Sequence, residues 1–138
     1  SFRALHGCPA LTFDSKLAEA SQIWAEKLAK TGCMQHSVAE AYGENLAYKG
    51  SSGRAALTGE EATQMWYDEI KLHDFNCPAP QRSGHFTQVV WKKTSRAGFG
   101  RALSKDGHSL YVVGRYTPAG NYRGQYKENV PPIKNASA

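Results

Sequence analysis

The sequence lacks any long apolar run. Of its 138 residues, 41% are hydrophobic and 21% are charged, but its uninterrupted apolar stretches are only a few residues long. A bilayer-spanning helix needs about 20, and no apolar stretch near Ser1 is flanked like a signal peptide. The composition is too apolar for a disordered chain, and one core of this size can hold a fold without metal or disulfides. We therefore expect one globular domain over residues 1–138.

Cysteine is also scarce. The chain has three cysteines, Cys8, Cys33 and Cys77, and no CxxC pair occurs. An odd number of widely spaced cysteines provides neither a zinc knuckle nor a complete disulfide framework. The count favours a reducing compartment, although one bridge plus one free thiol would give the same count.

Several motifs of enzymes and nucleic-acid-binding proteins are missing. The sequence has no HExxH, GxSxG, GxxxxGK[ST] or GxGxxG motif, so zincin, α/β-hydrolase, phosphate-loop and dinucleotide-binding functions have no support. Aromatic and basic residues mix near the end of the chain, but no RNA-binding motif accompanies them. We expect no nucleic-acid partner.

Positive charge is concentrated in the last third of the chain. The formal net charge is +5, and residues 92–138 carry nine basic and two acidic side chains. Such a segment can meet the phosphates of lipid or nucleic acid, or it can be an ordinary solvated face. The predicted anion-binding or membrane-binding residues are Lys92, Lys93, Arg96 and Arg101.

Local patterns predict helices outside a short antiparallel sheet. Asp14 is a helix N-cap and Gly32 the matching stop signal, while Thr58 and Glu61 form a capping box that starts a second helix with Met65 and Trp66 on its buried face. Strands are predicted over 44–48, 97–103 and 110–116, the last two joined by an Asp-Gly turn. Residues 86–91 fit either a helix or a strand. The fold class is α+β, or a three-layer sandwich.

Two histidines and two glutamates form a candidate site. His36 and His85 are the candidate metal ligands, and Glu44 and Glu69 lie between them in the sequence. Neutral imidazoles bind divalent transition metals, and carboxylates can orient the imidazoles, act as further ligands or act as bases. The spacing by itself is weak support for such a grouping.

Two long stretches resemble the signatures of a known family. They are Gly84–Trp91 (GHFTQVVW) and Tyr111–Tyr122 (YVVGRYTPAGNY), and both are similar to stretches of the CAP superfamily of cysteine-rich secretory proteins, venom antigens and plant pathogenesis-related proteins. Four shorter matches occur in the family's order: Arg3–Gly7, His36-Ser37, Gly43–Ala47 and Trp66–Ile70. The resemblance covers nearly the whole chain and implies a three-layer α-β-α sandwich.

The resemblance also implies a cleft. In such a cleft His36 and His85 hold zinc or another divalent ion, and Glu44 and Glu69 support them. The alternative is a polar, hydrogen-bonded cluster that holds the cleft walls together. If the cleft belongs to a metal-dependent hydrolase or protease, Glu44 or Glu69 is the base.

The chain differs from the secreted members at the positions of their disulfide bridges. Cys33 stands where those members have a cysteine, but the positions similar to its partners hold Phe99 and Gly114. This resembles the disulfide-poor branch of the Golgi-associated plant pathogenesis-related protein. That branch implies the cytosolic face of the Golgi or other endomembranes, with secretion as the alternative, and it implies anionic lipids and a second copy of the chain as partners. It also implies that a few residues precede Ser1.

Three functions are therefore open. The first is a non-enzymatic binding module with a metal cleft that associates with anionic membranes. The second is a metal-dependent hydrolase, and the third is a carrier of sterol or fatty acid in an apolar groove.

Overall fold

A computed structural model describes residues 2–37, 42–77 and 82–134. The helices are α1 (Phe2–Leu5), α2 (Ser15–Thr31), α3 (Gly59–Tyr67), α4 (Gly84–Val90) and α5 (Tyr126–Asn129), and a 3₁₀ turn covers Asp68–Leu72. The strands are β1 (Thr12–Phe13), β2 (Gly43–Gly50), β3 (Arg96–Leu103) and β4 (Ser109–Thr117). In the described parts, no helix is both long and apolar enough to cross a membrane.

The four strands form one sheet in the order β1-β3-β4-β2. Strands β3 and β4 make the predicted hairpin, and β2 pairs antiparallel with the other edge of β4. The sheet differs from the prediction at one edge, where β1 pairs parallel with β3 through two residues only. Such a short strand has no periodicity of its own, because its pairing depends on a strand more than 80 residues away.

Helices cover both faces of the sheet, as the three-layer prediction requires. On one face, Ala25 and Leu28 of α2 pack with Tyr111 and Val113 of β4. On the other face, Val112 packs in a larger cluster that includes side chains from α3 and α4. The buried residues of β4 alternate between the two clusters because successive side chains of a strand point to opposite faces.

Helix α2 lies directly on β3. Asp14 caps its start by accepting hydrogen bonds from the backbone N–H groups of Lys16 and Leu17, and Gly32 ends it in the left-handed conformation at φ 73°. A Cβ at Gly98 would lie 2.1 Å from the backbone nitrogen of Ala18. Glycine is needed at Gly98 because the helix backbone occupies that space.

Helix α3 begins as predicted and ends at Tyr67, where the 3₁₀ turn follows. The capping box of Thr58 and Glu61 is present, and Trp66 is buried. Met65, predicted to be buried, is 46% exposed, so that prediction is wrong. Met65 lies one residue, or 100° of rotation, from Trp66 on a nine-residue helix, at the edge of the narrow buried stripe.

Residues 86–90 form most of α4, and Trp91 follows the helix directly. Every residue from Phe86 to Val90 is buried. Because Thr87 and Gln88 are buried together with the apolar residues around them, the segment has no apolar–polar periodicity that distinguishes a buried helix from a buried strand. This explains why the sequence pattern left both structures open.

Candidate functional site

The four predicted cleft residues line one cavity of about 320 Å³. His36 follows α2, Glu44 lies on β2, Glu69 lies in the 3₁₀ turn and His85 lies in the first turn of α4. The cavity is also lined by Asn45, Arg82, Gly84 and Asn121. The fold thus brings together side chains from four separate segments.

Glu44 holds the first imidazole. Its Oε1 accepts hydrogen bonds from His36 Nδ1 at 2.9 Å and from the Ser37 backbone N–H at 2.9 Å. Its Oε2 accepts from the Ser37 hydroxyl and from Arg115 Nε, the latter at 3.2 Å. The carboxylate therefore receives four donors and is fixed on both oxygens.

Arg115 is the residue that balances the buried charge of Glu44. It lies on β4 directly opposite Glu44 in the strand register, and its side chain is 10% exposed against 9% for Glu44. Burial raises the pKa of Glu44, but the hydrogen bonds from Ser37 and His36 and the charge of Arg115 outweigh it, so the pKa lies below its usual value. Sequence reasoning missed this role because the pairing depends on the register of β2 and β4.

Glu69 holds the second imidazole and also caps a helix. Its Oε1 accepts from the backbone N–H groups of His85 at 2.9 Å and Phe86 at 3.2 Å, and its Oε2 is 2.6 Å from His85 Nδ1. These backbone groups belong to the first turn of α4, where N–H groups have no partner within the helix. The ring of His85 also stacks on Trp66 at 6.4 Å between ring centroids.

The two carboxylates determine which imidazole nitrogen carries the proton. An ionised carboxylate only accepts hydrogen bonds, so Nδ1 of His36 and of His85 must donate. In the neutral rings the lone pair then lies on Nε2, as in metal-binding histidines that a carboxylate orients through the other nitrogen. Among the described residues, no group of three or more His, Cys, Asp or Glu side chains could hold a metal ion. The candidate metal ligands in this part of the chain are therefore two imidazole nitrogens, fewer than the three protein ligands of most open zinc sites.

Further polar contacts hold the cleft walls. Asn45 is buried and its side-chain amide donates to the carbonyl of His85 at 3.1 Å. Asn121 has a left-handed backbone at φ 63°, donates from Nδ2 to Gly84 O at 2.9 Å and accepts from the Thr87 hydroxyl. Sequence reasoning named neither residue as part of the site, and only their place in the family stretches signalled them.

The four predicted membrane residues do not form one patch. Lys92 and Lys93 lie in the exposed turn after α4. Arg96 is paired with Asp14 at 3.5 Å, beside the start of α2, whereas Arg101 donates to Leu57 O at 3.1 Å. Arg96 and Arg101 are five residues apart on one strand, so they lie on opposite faces of the sheet and about 16 Å apart along it.

No disulfide occurs between the cysteines that the structure describes. Cys8 is buried, Cys33 is exposed and Cys77 is intermediate, and all three are free thiols. Phe99 and Gly114 are direct partners across β3 and β4.

A family model confirms the resemblance. The model described as "CAP: Cysteine-rich secretory protein family" matches residues 1–116. The chain belongs to the CAP family. The human "Golgi-associated plant pathogenesis-related protein 1" is 40% identical over 139 residues, which are 96% of this chain and 87% of the relative. Tobacco "Pathogenesis-related protein 1A" is 40% identical over 127 residues, covering 89% of this chain and 72% of the relative.

Solved CAP structures share the fold. The structure of BmVAL-1 superposes with a TM-score of 0.74 at 28% identity, over 91% of this chain and 65% of BmVAL-1. The chain thus spans about two thirds of that protein. The relatives of this CAP chain include both the Golgi-associated protein and the "Secreted protein RBT4" of Candida albicans, which is 40% identical over 88% of this chain and 33% of its own length.

Proposed function

We propose that this CAP domain is a non-enzymatic binding module that holds a divalent metal ion, zinc in the first instance, between His36 and His85. The observation that carries the proposal is the pair of Nδ1-to-carboxylate contacts, at 2.9 Å to Glu44 and 2.6 Å to Glu69. They leave Nε2 of each ring for a metal and raise the basicity of the ligands. A protein of the same fold, NaASP2, has a crystal structure described "with Zn2+" (TM-score 0.71, 21% identity, 93% of this chain and 68% of NaASP2).

Calorimetric titration with zinc tests the site. We expect weak binding with one ion per chain, because two protein ligands leave the other positions to water. His36→Ala and His85→Ala should each abolish it. The matched control is His108→Ala. His108 lies in the β3–β4 turn, outside the cleft lining, and its Nδ1 is hydrogen-bonded to the Gly53 carbonyl. Unchanged zinc affinity in both cleft variants would refute the metal site and favour a purely structural polar cluster.

The hydrolase alternative has less support from the same contacts. A general base needs a carboxylate that can take up a proton near the working pH. Glu44 accepts four hydrogen bonds and has a lowered pKa, and Glu69 is occupied by three donors. Both carboxylates act better as fixed acceptors that orient imidazoles.

The exposed Lys92–Lys93 turn is the surface that we assign to anionic membranes. Its backbone is fixed by Asn129 of α5, which accepts from the N–H groups of both lysines. Lys127, on the same short helix, is also exposed. Basic residues close to an anionic bilayer each contribute about 1 kcal/mol of attraction. We infer association with the cytosolic face of the Golgi or other endomembranes, with secretion as the alternative.

A second copy of the chain is the other proposed partner. Sedimentation velocity with and without zinc tests whether a homodimer forms and whether the metal promotes it. A single monomeric species at high protein concentration under both conditions would exclude the dimer.

A lipid carrier is the second candidate function, and one apolar cavity favours it. A cavity of about 660 Å³ lies between α1, α3 and β3, with Phe2, Leu5 and Phe99 among its lining residues. A neighbouring cavity of about 380 Å³ shares Phe2, Phe99 and Thr63 with it. Together they have room for a fatty-acyl chain or a sterol.

Fluorescent fatty-acid binding tests the carrier function. Thr63→Trp should fill the space that both cavities share and weaken binding. Met65→Trp, on an exposed position of the same helix, is the control. Equal binding by both variants and the unmodified chain would place any lipid elsewhere.

A further inference from the structure

We propose that a separate cavity between the loop joining β2 to α3 and the β3–β4 hairpin binds a phosphate group through Arg54 and Arg101. The cavity measures about 340 Å³, and its lining includes both arginines together with Leu57, Leu103 and Leu110. Neither the metal cleft nor the Lys92–Lys93 turn contributes a residue to it. The inference therefore goes beyond the function proposed above and does not depend on it.

Arg101 is held in place from two sides. The side-chain amide of Gln22 donates to Arg101 O at 2.8 Å and accepts from the Arg101 backbone N–H at 2.9 Å, which fixes the strand. One guanidinium nitrogen then donates to Leu57 O at 3.1 Å, which fixes the side chain against the loop. A guanidinium has five N–H donors, so most of them remain available to a ligand in the cavity.

Arg54 supplies the second cation from the loop side of the same cavity. In the parts of the chain that the structure describes, the ion pairs involve neither Arg54 nor Arg101. No carboxylate side chain is among the residues that line the cavity. The cavity therefore has two positive charges and no acidic side chain in its lining.

Two acidic residues, Glu60 and Glu61, follow the cavity loop in the sequence. Glu61 is engaged elsewhere, because its carboxylate accepts from the Thr58 N–H at 3.1 Å. The hydrogen bonds with Thr58, and to a smaller degree the charge of Lys49, lower the pKa of Glu61. Lys49 is also the register partner of Leu110 in the cavity wall. Asp106, in the turn of the β3–β4 hairpin, accepts hydrogen bonds at Oδ1 from the Ser104 hydroxyl and the His108 backbone N–H.

The chemistry of two guanidiniums favours phosphate over carboxylate. One arginine fork can satisfy both oxygens of a carboxylate. A phosphate monoester has three terminal oxygens and up to two negative charges, so it can accept from two forks on different walls of a cavity at once. The ligand class is therefore a phosphomonoester, either in a lipid headgroup or in a small soluble molecule.

A phosphate titration followed by backbone amide NMR shifts tests the site. Inorganic phosphate is added at constant ionic strength, because simple screening would otherwise change the shifts. We expect saturable shifts at the cavity residues Ala55, Leu57, Ala102 and Leu103. Shifts spread over all basic surfaces without saturation would overturn the proposal.

Three variants separate the site from general charge. Arg54→Gln and Arg101→Gln should each weaken phosphate binding about threefold to tenfold, the range for a charged hydrogen bond at an exposed position. The matched control Arg96→Gln removes the same charge from the same strand as Arg101, but on the opposite face, and should bind normally. Because Arg54 is exposed and takes part in none of the ion pairs among the described residues, Arg54→Gln tests binding with little effect on the loop. Equal affinity in all three variants would refute the site.

Vesicles distinguish the two sources of phosphate. One set contains a phosphatidylinositol monophosphate, and the other contains phosphatidylserine at the same total charge. A preference for the first set that Arg54→Gln abolishes assigns the site to a lipid headgroup. Equal binding to both sets, with the inorganic phosphate site intact in solution, assigns it to a soluble phosphomonoester. If phosphate neither shifts the cavity amides nor alters vesicle preference, the proposal fails, whatever the outcome of the zinc and Lys92–Lys93 experiments.

Discussion

The ring of Phe99 occupies the space beside Gly114, its partner on the neighbouring strand. A Cβ at Gly114 would lie 2.9 Å from the Phe99 ring and 3.2 Å from Trp66. We therefore expect Gly114→Ala to lower the free energy of unfolding by about 1 kcal/mol, the low end of the range for overpacking, because the partly exposed Phe99 ring must shift towards the cavity that it lines. Urea denaturation measures the change, and Phe99→Leu in the same chain should restore part of the loss.

The control for this prediction is Gly53→Ala. A Cβ at Gly53 would meet nothing within 4 Å, so this change should leave stability the same or raise it slightly. An equal loss in both variants would mean that the contact between Phe99 and Gly114 is not the cause.

The elements with local signals were predicted from the sequence. The start and end of α2 follow from Asp14 and Gly32, and the start of α3 follows from the capping box, because each depends on neighbours within a few residues. Strand β1 was not predicted, because its two residues are ordered only by pairing with the distant β3.

The candidate site, like the fold, was predicted from the sequence only in part. The resemblance to the CAP family identified the His and Glu residues, and the structure places all four in one cavity. The contacts of Arg115 with Glu44 and Ser37 were not predicted, since Arg115 is 71 and 78 residues away from them in the chain. Those contacts depend on strand register, for which the sequence has no local signal.

The lowered pKa of Glu44 makes stability depend on pH. A carboxyl with a lower pKa in the folded than in the unfolded state stabilises the fold fully above its unfolded value near 4.3 and loses this contribution as the pH falls through the folded value. We expect Glu44→Gln to lower the free energy of unfolding at pH 7 by about 2–4 kcal/mol, because it leaves Arg115 buried without its countercharge. The loss should shrink as the pH is lowered towards 3 in a series of urea titrations.

The control is Glu128→Gln on α5, where the side chain is exposed. It should have little effect at any pH, because exposed charges contribute little to stability. A Glu44→Gln loss that stays constant from pH 7 to pH 3 would contradict the proposed ion pair.

Gln22 protects the open edge of β3. Its amide bonds both the N–H and the carbonyl of Arg101, which would otherwise face solvent as unpaired strand groups. Gln22→Ala should cost about 1 kcal/mol of stability and increase self-association, measured by light scattering during mild heating. Glu19→Ala, an exposed change on the same helix, should do neither. Faster aggregation of both variants would mean that the edge contact is irrelevant.

Membrane attraction and metal binding should be separable, because they occupy opposite ends of α4. His85 lies in its first turn, and Lys92 comes two residues after its end at Val90. The helical stretch from His85 to Val90 alone is about 8 Å long. Charge reversal by Lys92→Glu with Lys93→Glu should weaken flotation with anionic vesicles at least roughly tenfold, since each basic residue near the bilayer contributes about 1 kcal/mol. Zinc affinity should stay the same. The control pair Lys16→Glu with Lys71→Glu makes the same change in net charge elsewhere on the exposed surface. If both pairs reduce flotation equally, only the net charge matters, and if the Lys92–Lys93 pair also loses zinc, the two functions share one site.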